Sequence, residues 1–473
     1  MKKIIEDGYY LFVYSEVDRL MNALNASLRH DHNMALFKKT GNDIKLIRHW
    51  EFERFTGYKH HGVAFPSSEN FINFIDRLLA DIGLSHKDMV KIIGTPCGLD
   101  ENIDEIVDKY PGIAYHAISH LFSSMFLNTS KVKEMDVVAL AFDGGPDILI
   151  DKNANKKNFF CGAVLKKGKV VDLFDIPSPG AHWAYASNYF NMPEGTLMAL
   201  AYASTMTSKE VFDGFPEYKR ASDKRALGLY MDKLIKTIMN CDLSKKDSSL
   251  YTDYDERFTE EENKISMIMK IIQKESINQI IRLVEKIIVK YDINPQNAIL
   301  SLSGGFALNC PNNTEIMNHF GFKEQLSCPC VNDGGLALGM GINYFYNNCD
   351  FNFTFENAYY GADDLRNIQD ALKDYEDYIE TINYGLEYIA EDIANMPIVW
   401  FDGKAEVGPR ALGHRSIIAN PTKIEHKNLL NQYKIREWWR PVAPVVLEEK
   451  FNEWFSRAFH SDYMLNNFKI IDD

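Results

Sequence analysis

The chain of 473 residues is long enough for two or three domains and a sizeable core. It is 46% hydrophobic and 25% charged, as globular proteins are, and its net charge of −14 makes it a poor bulk partner for nucleic acid or an anionic membrane. No stretch reaches the roughly 18 apolar residues of a membrane span, and the seven cysteines lack any CxxC pair, so a soluble cytoplasmic protein with free thiols is expected.

The N-terminal "MKKIIEDGYYLFVYSE" is too short and too interrupted, by Glu6 and Asp7, for a signal peptide. "RHDHNMAL" then places His30, Asp31 and His32 side by side. "KYPGIAYHAISHLFSSMF" predicts a helix starting after Pro111 and Gly112, with Ile118, Leu121, Phe122 and Met125 as its apolar stripe. His116 and His120, at i and i+4, share one face of it, and the next turn carries Ser123 and Ser124. Such a pair clasps a metal when further ligands are supplied, and is otherwise a hydrogen-bonded pair.

"VVALAFDGG" reads as a strand ending in a glycine turn, and "FFCGAVLKKGKVVDLFDI" as a hairpin around Lys167-Gly168. Residues 205 to 262, rich in Lys, Asp, Glu and Ser, predict a surface insertion that could face an acceptor substrate. Ile277, Ile280, Ile281, Val284, Ile287 and Ile288 have helical spacing, Pro295 closes that helix, and "AILSLSGG" is a strand running into a second glycine turn. "CVNDGGLALG" offers Asp333 at a turn, as a third ligand for the histidine pair. His and carboxylate together suit iron, manganese or zinc. Cys328 and Cys330 form a CxC without a second cysteine pair nearby. No internal repeat stands out. The alternation of strand-like and helix-like segments predicts an α/β protein, and a change of texture near residue 350 predicts a domain boundary.

The turns "FDGGPD" and "LSGGFALN" each follow a strand, where glycine lets backbone N–H groups approach a phosphate or simply lets the chain turn. "DGKAEVGPRALGHRS" and "KIREWWRPVAPVV" concentrate Lys404, Arg410, His414, Arg415, Lys434, Arg436 and Arg440 among glycine and proline. In a chain this acidic, that density reads either as a surface ion-pair network or as a pocket for phosphate and carboxylate oxygens.

Taken in order, "RHDHNMAL", "HAISHLFSS", "FDGG", "LSGGFALNC", "NDGGLALG", "GPRALGHRSI" and "KIREWWRPVAP" resemble the nodulation-protein-U-type O-carbamoyltransferases, over nearly the whole chain. The resemblance implies an actin-like, sugar-kinase-like domain over residues 1–350 and a YrdC-like α/β domain over 351–473. The second would turn carbamoyl phosphate and ATP into carbamoyl adenylate, with magnesium accompanying ATP. The first would pass the carbamoyl group to a hydroxyl of a small metabolite, such as a sugar-containing natural product. It implies His116, His120 and Asp333 as ligands of a divalent metal, often iron in the family. His30, with Asp31 beside it, would orient or deprotonate the acceptor. Asp143, Gly144, Ser303, Gly304, Gly305 and Asn309 would line the adenylate. Lys404, Arg410, His414, Arg415, Arg436 and Arg440 would hold carbamoyl phosphate and the ATP phosphates.

Three departures accompany the resemblance. His116 is followed by Ala117 where the family has two adjacent histidines. "EGTLMALAYAS" lacks the lysine of the family's Gly-Lys. The Asp-Gly-Thr-Ala-Arg and Asn-Thr-Ser-Phe-Asn motifs of the family's C-terminal segment are missing, so a shortened YrdC-like domain is expected. The alternative readings are a catalytically incomplete nucleotide-binding homologue that needs a partner protein, a scaffold, and a sugar kinase. The acceptor and the oligomeric state, homo-oligomer or otherwise, are left open.

Overall fold

The computed structural model describes residues 5–94, 103–105, 110–147, 154–209, 212–243, 251–363 and 368–471; Cys97 lies outside them. The first sheet begins with three antiparallel strands, β1 (Gly8–Tyr14), β2 (Asn33–Thr40) and β3 (Asp43–Glu51). Helix α1 (Ser68–Ala80) then leads to β4 (Met89–Gly94) and β5 (Ile103–Glu105), which add in parallel on the other side of β1, giving the order β3-β2-β1-β4-β5. Helix α2 (Tyr115–Met125) follows.

The chain then repeats this path. β6 (Asp136–Ala141), β7 (Cys161–Lys166) and β8 (Lys169–Asp175) are antiparallel neighbours, and the β7–β8 turn falls at Lys167 and Gly168, both at positive φ. Helices α3 (Gly180–Phe190), α4 (Glu194–Ala203), α5 (Lys224–Met239) and α6 (Glu260–Tyr291) intervene before β9 (Ala298–Ser303). Helix α7 (Cys310–Phe320), β10 (Glu324–Leu326) and α8 (Leu336–Asn348) complete the unit, and β9 and β10 add in parallel beside β6. The two sheets therefore share one strand order and one set of strand directions. The sequence shows no repeat because topology constrains which positions are apolar, not which apolar residue fills them.

Side-chain alternation along β1 explains the layering. Leu11 and Val13 pack with Phe71, Phe74, Ile75, Leu78 and Leu79 of α1 on the outer face. Tyr10, Phe12 and Tyr14 join the main core that holds α2, α8 and the second sheet. Every residue of α2 is buried, and the helix is pressed against α8. A Cβ at Gly339 of α8 would lie 1.8 Å from the Ser119 carbonyl oxygen and 3.0 Å from the Ser123 nitrogen, both backbone atoms of α2. Gly339→Ala must therefore push the two helices apart, at a cost of at least about 2 kcal/mol; a lowered midpoint in thermal melting is the expected result.

Two segments differ from the sequence-based expectation. The insertion expected at 205–262 contains α5, which buries Leu227, Met231, Leu234, Ile235 and Ile238 in the main core: its charged residues are the outer face of an amphipathic helix. The boundary expected at 350 falls before a stretch that still belongs to the first sheet. Ile44 N–H donates to the Asn352 carbonyl and His49 N–H to that of Tyr360, both at 2.9 Å, while Phe351, Phe353 and Phe355 are buried. Beyond it lie α9 (Leu386–Asn395), the two-stranded pair β11 (Ile398–Phe401) and β12 (Arg415–Ile418), and α10 (Ile424–Tyr433). Residues 465–467 return to the first part, where Asn313 Nδ2 donates to the Leu465 carbonyl at 2.8 Å and Asn467 N–H donates to Thr314 Oγ1 at 3.0 Å.

Candidate active site

The buried helix α2 aims both histidines at the ends of two loops. His120 Nε2 lies 3.1 Å from His116 Nε2 and 3.1 Å from Asp333 Oδ1. His116 Nε2 lies 3.2 Å from Asp143 Oδ2 and 3.5 Å from Asp333 Oδ1. These four side chains, from α2, the turn after β6 and the turn before α8, bring their ligand atoms within 4.8 Å of one another. The resemblance implied that Asp143 lines the adenylate; its Oδ2 stands beside His116 and His120.

The buried Asp333 and half-buried Asp143 carboxylates, facing two imidazole nitrogens, make a donor set of two N and two O, which fits a divalent transition ion. Burial opposes a charged His116, but Asp333 and Asp143 outweigh it and raise its pKa to about 10. Burial likewise opposes ionised Asp333, yet His116 and His120 hold it well below the usual carboxylate range. The groups therefore favour extra positive charge among them, which a proton or a metal cation supplies. Ser123 and Ser124, one turn on, serve the neighbouring loop: Cys328 N–H donates to Ser124 Oγ at 3.2 Å. Cys328 and Cys330 are buried and free, their sulfurs 4.0 Å apart.

The two glycine turns form one structure. Phe142 N–H donates to the Ser303 carbonyl at 2.8 Å, Phe306 N–H to the Phe142 carbonyl at 3.1 Å, and Gly305 N–H to Asp143 Oδ1 at 3.1 Å. Asp143 thus touches the histidines with one oxygen and the second glycine turn with the other. Gly144 lies against Ala184 of α3. Asn309 is committed to structure: its Oδ1 caps α7 through Asn312 N–H, and its Nδ2 donates to Gln273 at 2.9 Å. Next to Gln273 a cleft of about 370 Å³ is lined by Tyr202, Lys270, Lys274, Asn278 and Glu315.

His30 stands at the edge of the four-residue group, with Nε2 3.7 Å from Asp333 Oδ2 and Nδ1 3.0 Å from Asp31 Oδ2. The Asp31 hydrogen bond, reinforced by Asp333, raises its pKa to about 9, above the reference value of about 6.5 that suits a base. As it stands His30 is charged at neutral pH. A cation shared by Asp143 and Asp333 would oppose that charge and free the nitrogen.

The residues of the C-terminal basic constellation separate into two groups. Arg410 Nη2 donates to the Leu308 carbonyl at 3.3 Å, beside the second glycine turn, and its buried Nε has no hydrogen-bond partner among the described residues. Arg440 donates to Thr196 Oγ1 on α4, where the family's lysine is absent. Burial, Arg436 and Arg440 lower the pKa of Lys434; burial, Arg436 and Arg410 lower that of Arg440. Arg410, Lys434, Arg436 and Arg440 thus repel one another in one place, a setting for a phosphate. His414 and Arg415 instead hold their own loop together. Arg415 donates to the Asp402, Gly403 and His414 carbonyls; His414 stacks on Tyr359 at 3.4 Å between ring centroids, and its Nδ1 bonds the Lys404 carbonyl. Backbone carbonyls thus give His414 and Arg415 structural work.

The sequence reading also missed Glu51 and Arg54. Glu51 Oε2 accepts from Gly408 N–H at 3.1 Å and from Arg54 Nε at 3.0 Å, and Arg54 Nη2 donates to the Gly408 carbonyl at 3.1 Å. The pair grips both sides of Gly408, two residues before Arg410. His49, from the same strand, bonds the Gly334 carbonyl with Nε2 at 2.7 Å. Burial lowers its pKa to about 4, against 6.5 in the unfolded chain. Below pH 6.5 the unfolded state binds a proton that the folded state refuses, so His49 costs stability progressively from pH 6.5 down to about 4. His49→Gln is expected to flatten the fall of the melting temperature over that window.

The profile for the carbamoyltransferase C-terminus matches residues 390–473. The 3'-hydroxymethylcephem-O-carbamoyltransferase of Streptomyces clavuligerus is 32% identical over 172 residues, 36% of this chain and 32% of that protein. Nodulation protein U of Rhizobium tropici is 36% identical over 171 residues, 36% of this chain and 28% of that protein. Residues 390–473 thus carry a carbamoyltransferase C-terminal domain, and over about a third of its length the chain is similar to a carbamoyltransferase. An uncharacterized protein of Methanocaldococcus jannaschii, 27% identical over 372 residues, extends the likeness to 75% of this chain and 66% of that protein. The matches to the named relatives of the family span about a third of those proteins' length. Among the described residues, no helix is long and apolar enough to cross a membrane.

Proposed function

We propose that the protein is an ATP-dependent O-carbamoyltransferase whose first part, residues 1 to about 361, is an actin-like transfer domain. The observation that carries this reading is the convergence of His116, His120, Asp143 and Asp333 beside His30, with Asp143 tied to both glycine turns. In this reading carbamoyl phosphate, ATP and a water give carbamoyl adenylate, pyrophosphate and phosphate, and the YrdC-like C-terminal part performs that step. The acceptor oxygen then attacks the carbamoyl carbon, the bond from that carbon to the AMP phosphate oxygen breaks, and the acceptor proton passes to a base.

A divalent cation held by His116, His120, Asp143 and Asp333 would stabilise negative charge growing on the carbonyl or phosphate oxygen. The Gly305 N–H and its neighbours hold the turn that the adenylate would approach, and the cleft beside Gln273 has space for a purine. Arg410, Lys434, Arg436 and Arg440 take the phosphates. His30 Nε2, with Nδ1 engaged by Asp31, is the group placed to receive the acceptor proton.

A second reading, in which a partner polypeptide completes the C-terminal part, is supported by its exposed apolar side chains. Leu386, Val399, Phe401, Ile435, Val445 and Leu447 face solvent, and a two-stranded sheet such as β11–β12 is marginal alone. Pyrophosphate and AMP release from ATP, with and without carbamoyl phosphate, tests both. Carbamoyl-phosphate-dependent pyrophosphate supports the complete enzyme. Bound metal without pyrophosphate release supports the partner reading, and neither would remove the carbamoylation reading.

A further inference from the structure

The loop after β3 carries a histidine that neither the motifs nor the reaction called for. His60 Nδ1 lies 2.8 Å from Asp31 Oδ1, on the opposite side of that carboxylate from His30, whose Nδ1 is 3.0 Å from Oδ2. The two residues are also joined through the backbone: Asp31 N–H donates to the His60 carbonyl at 2.5 Å. His60 N–H in turn donates to Glu53 Oε2 at 2.8 Å, and the next residue, His61, is buried with Nδ1 2.9 Å from Thr56 Oγ1. Asn332 Nδ2 adds a 3.4 Å contact to Asp31 Oδ2.

The backbone here is unusual. Asp31, His60 and His61 have φ of 56°, 60° and 34°, in the left-handed region that costs a non-glycine residue roughly 1–2 kcal/mol. Strain of this kind persists where surrounding contacts over-determine it, and it gathers at functional sites. A surface histidine that merely paired with an aspartate would not need two strained residues to meet it.

We propose that His60 is a positioning residue, which fixes Asp31 so that Asp31 holds the Nδ1 proton of His30 and leaves His30 Nε2 directed at the transfer site beside Asp333. This rests on the proposed transfer reaction. His60 itself touches no reacting atom. Its side chain is 56% exposed, against 12% for Asp31, so it secures the carboxylate from the solvent side, where water would otherwise compete for Oδ1. The arrangement uses the logic by which a buried acid orients a catalytic imidazole, with a second imidazole bracing the acid.

Two substitutions separate the side chain from the backbone. His60→Asn tolerates positive φ and keeps an N–H donor near the Nδ1 position. His60→Gly relaxes the backbone and removes the donor. In the histidine-15N-labelled full chain, the Nδ1 proton of His30 is followed by NMR and assigned by its loss in His30→Gln. His60→Asn is expected to keep that signal. His60→Gly is expected to lose it to solvent exchange and to slow AMP release roughly 10- to 100-fold, with pyrophosphate release unchanged. A His60→Gly protein with the His30 signal and AMP release of the wild type overturns the proposal, as does equal loss in both variants. Should the wild type release neither pyrophosphate nor AMP, the carbamoylation reading falls. The His30 signal then still decides: loss in His60→Gly alone supports the positioning role, and retention in both variants overturns it.

Discussion

Asp143→Asn is expected to weaken binding of a divalent metal by at least about 100-fold, more than loss of a supporting partner outside the ligand set usually costs. The substitution keeps the shape of the side chain and an oxygen able to accept from Gly305 N–H, so the junction of the two glycine turns survives. What it removes is one of two negative charges facing His116 and His120. An amide oxygen is a poorer ligand for an N/O-bound transition ion than a carboxylate. Metal content by elemental analysis, alongside AMP affinity, checks the outcome. His30→Gln serves as a control, since His30 contacts Asp333 but lies outside the four-residue group, and it should retain metal. Full metal retention by Asp143→Asn with lost AMP affinity would return Asp143 to the nucleotide.

Much of this site was legible in the residues. The spacing of His116 and His120 fixed their shared helix face, and the glycine turns after "VVALA" and "AILSL" fixed where β6 and β9 end. Those features are local, and local periodicity carries them. The failures are all nonlocal. Nothing near Asp143 says that its two oxygens serve different neighbours, one on α2 and one on a turn 162 residues later. Charge alone grouped Arg415 with Arg410, but backbone carbonyls within its own loop claim Arg415, while Arg410 crosses to the Leu308 carbonyl. Asp31 is visible beside His30 in the sequence, but Asp333, 3.7 Å from its Nε2, is a neighbour only in the fold. The pairing of the two sheets escaped for the same reason: strand order is a property of contacts between distant segments.

The sharpest test of how the two parts work together is Gly408→Ala. Gly408 sits at φ of 93°, and a Cβ there would lie 2.3 Å from the Pro329 carbonyl oxygen and 2.9 Å from the Cys330 nitrogen. Both are backbone atoms of the loop that leads to Asp333, so neither can rotate away. The added methyl must displace the 405–410 loop, breaking the grip of Glu51 and Arg54 on both sides of the Gly408 residue. Arg410, two residues on, then loses its place beside the second glycine turn. Titration with pyrophosphate, read by calorimetry, should show affinity lowered roughly 10- to 100-fold, as for loss of a charge-assisted contact worth about 1.5–3 kcal/mol, and hydrogen exchange across 405–412 should quicken. Metal content should change little, because the four ligand atoms lie on other segments. Gly413→Ala separates strain from collision: it also has positive φ, at 99°, but its Cβ would meet nothing within 4 Å, so only the conformational cost of roughly 1 kcal/mol applies. If the two alanine variants bind pyrophosphate equally, the close seating of Gly408 on Pro329 does not hold the phosphate-binding loop against the transfer site. If only Gly408→Ala fails, that seating is the mechanical link between the cations that gather phosphate and the aspartate turn that faces the acceptor.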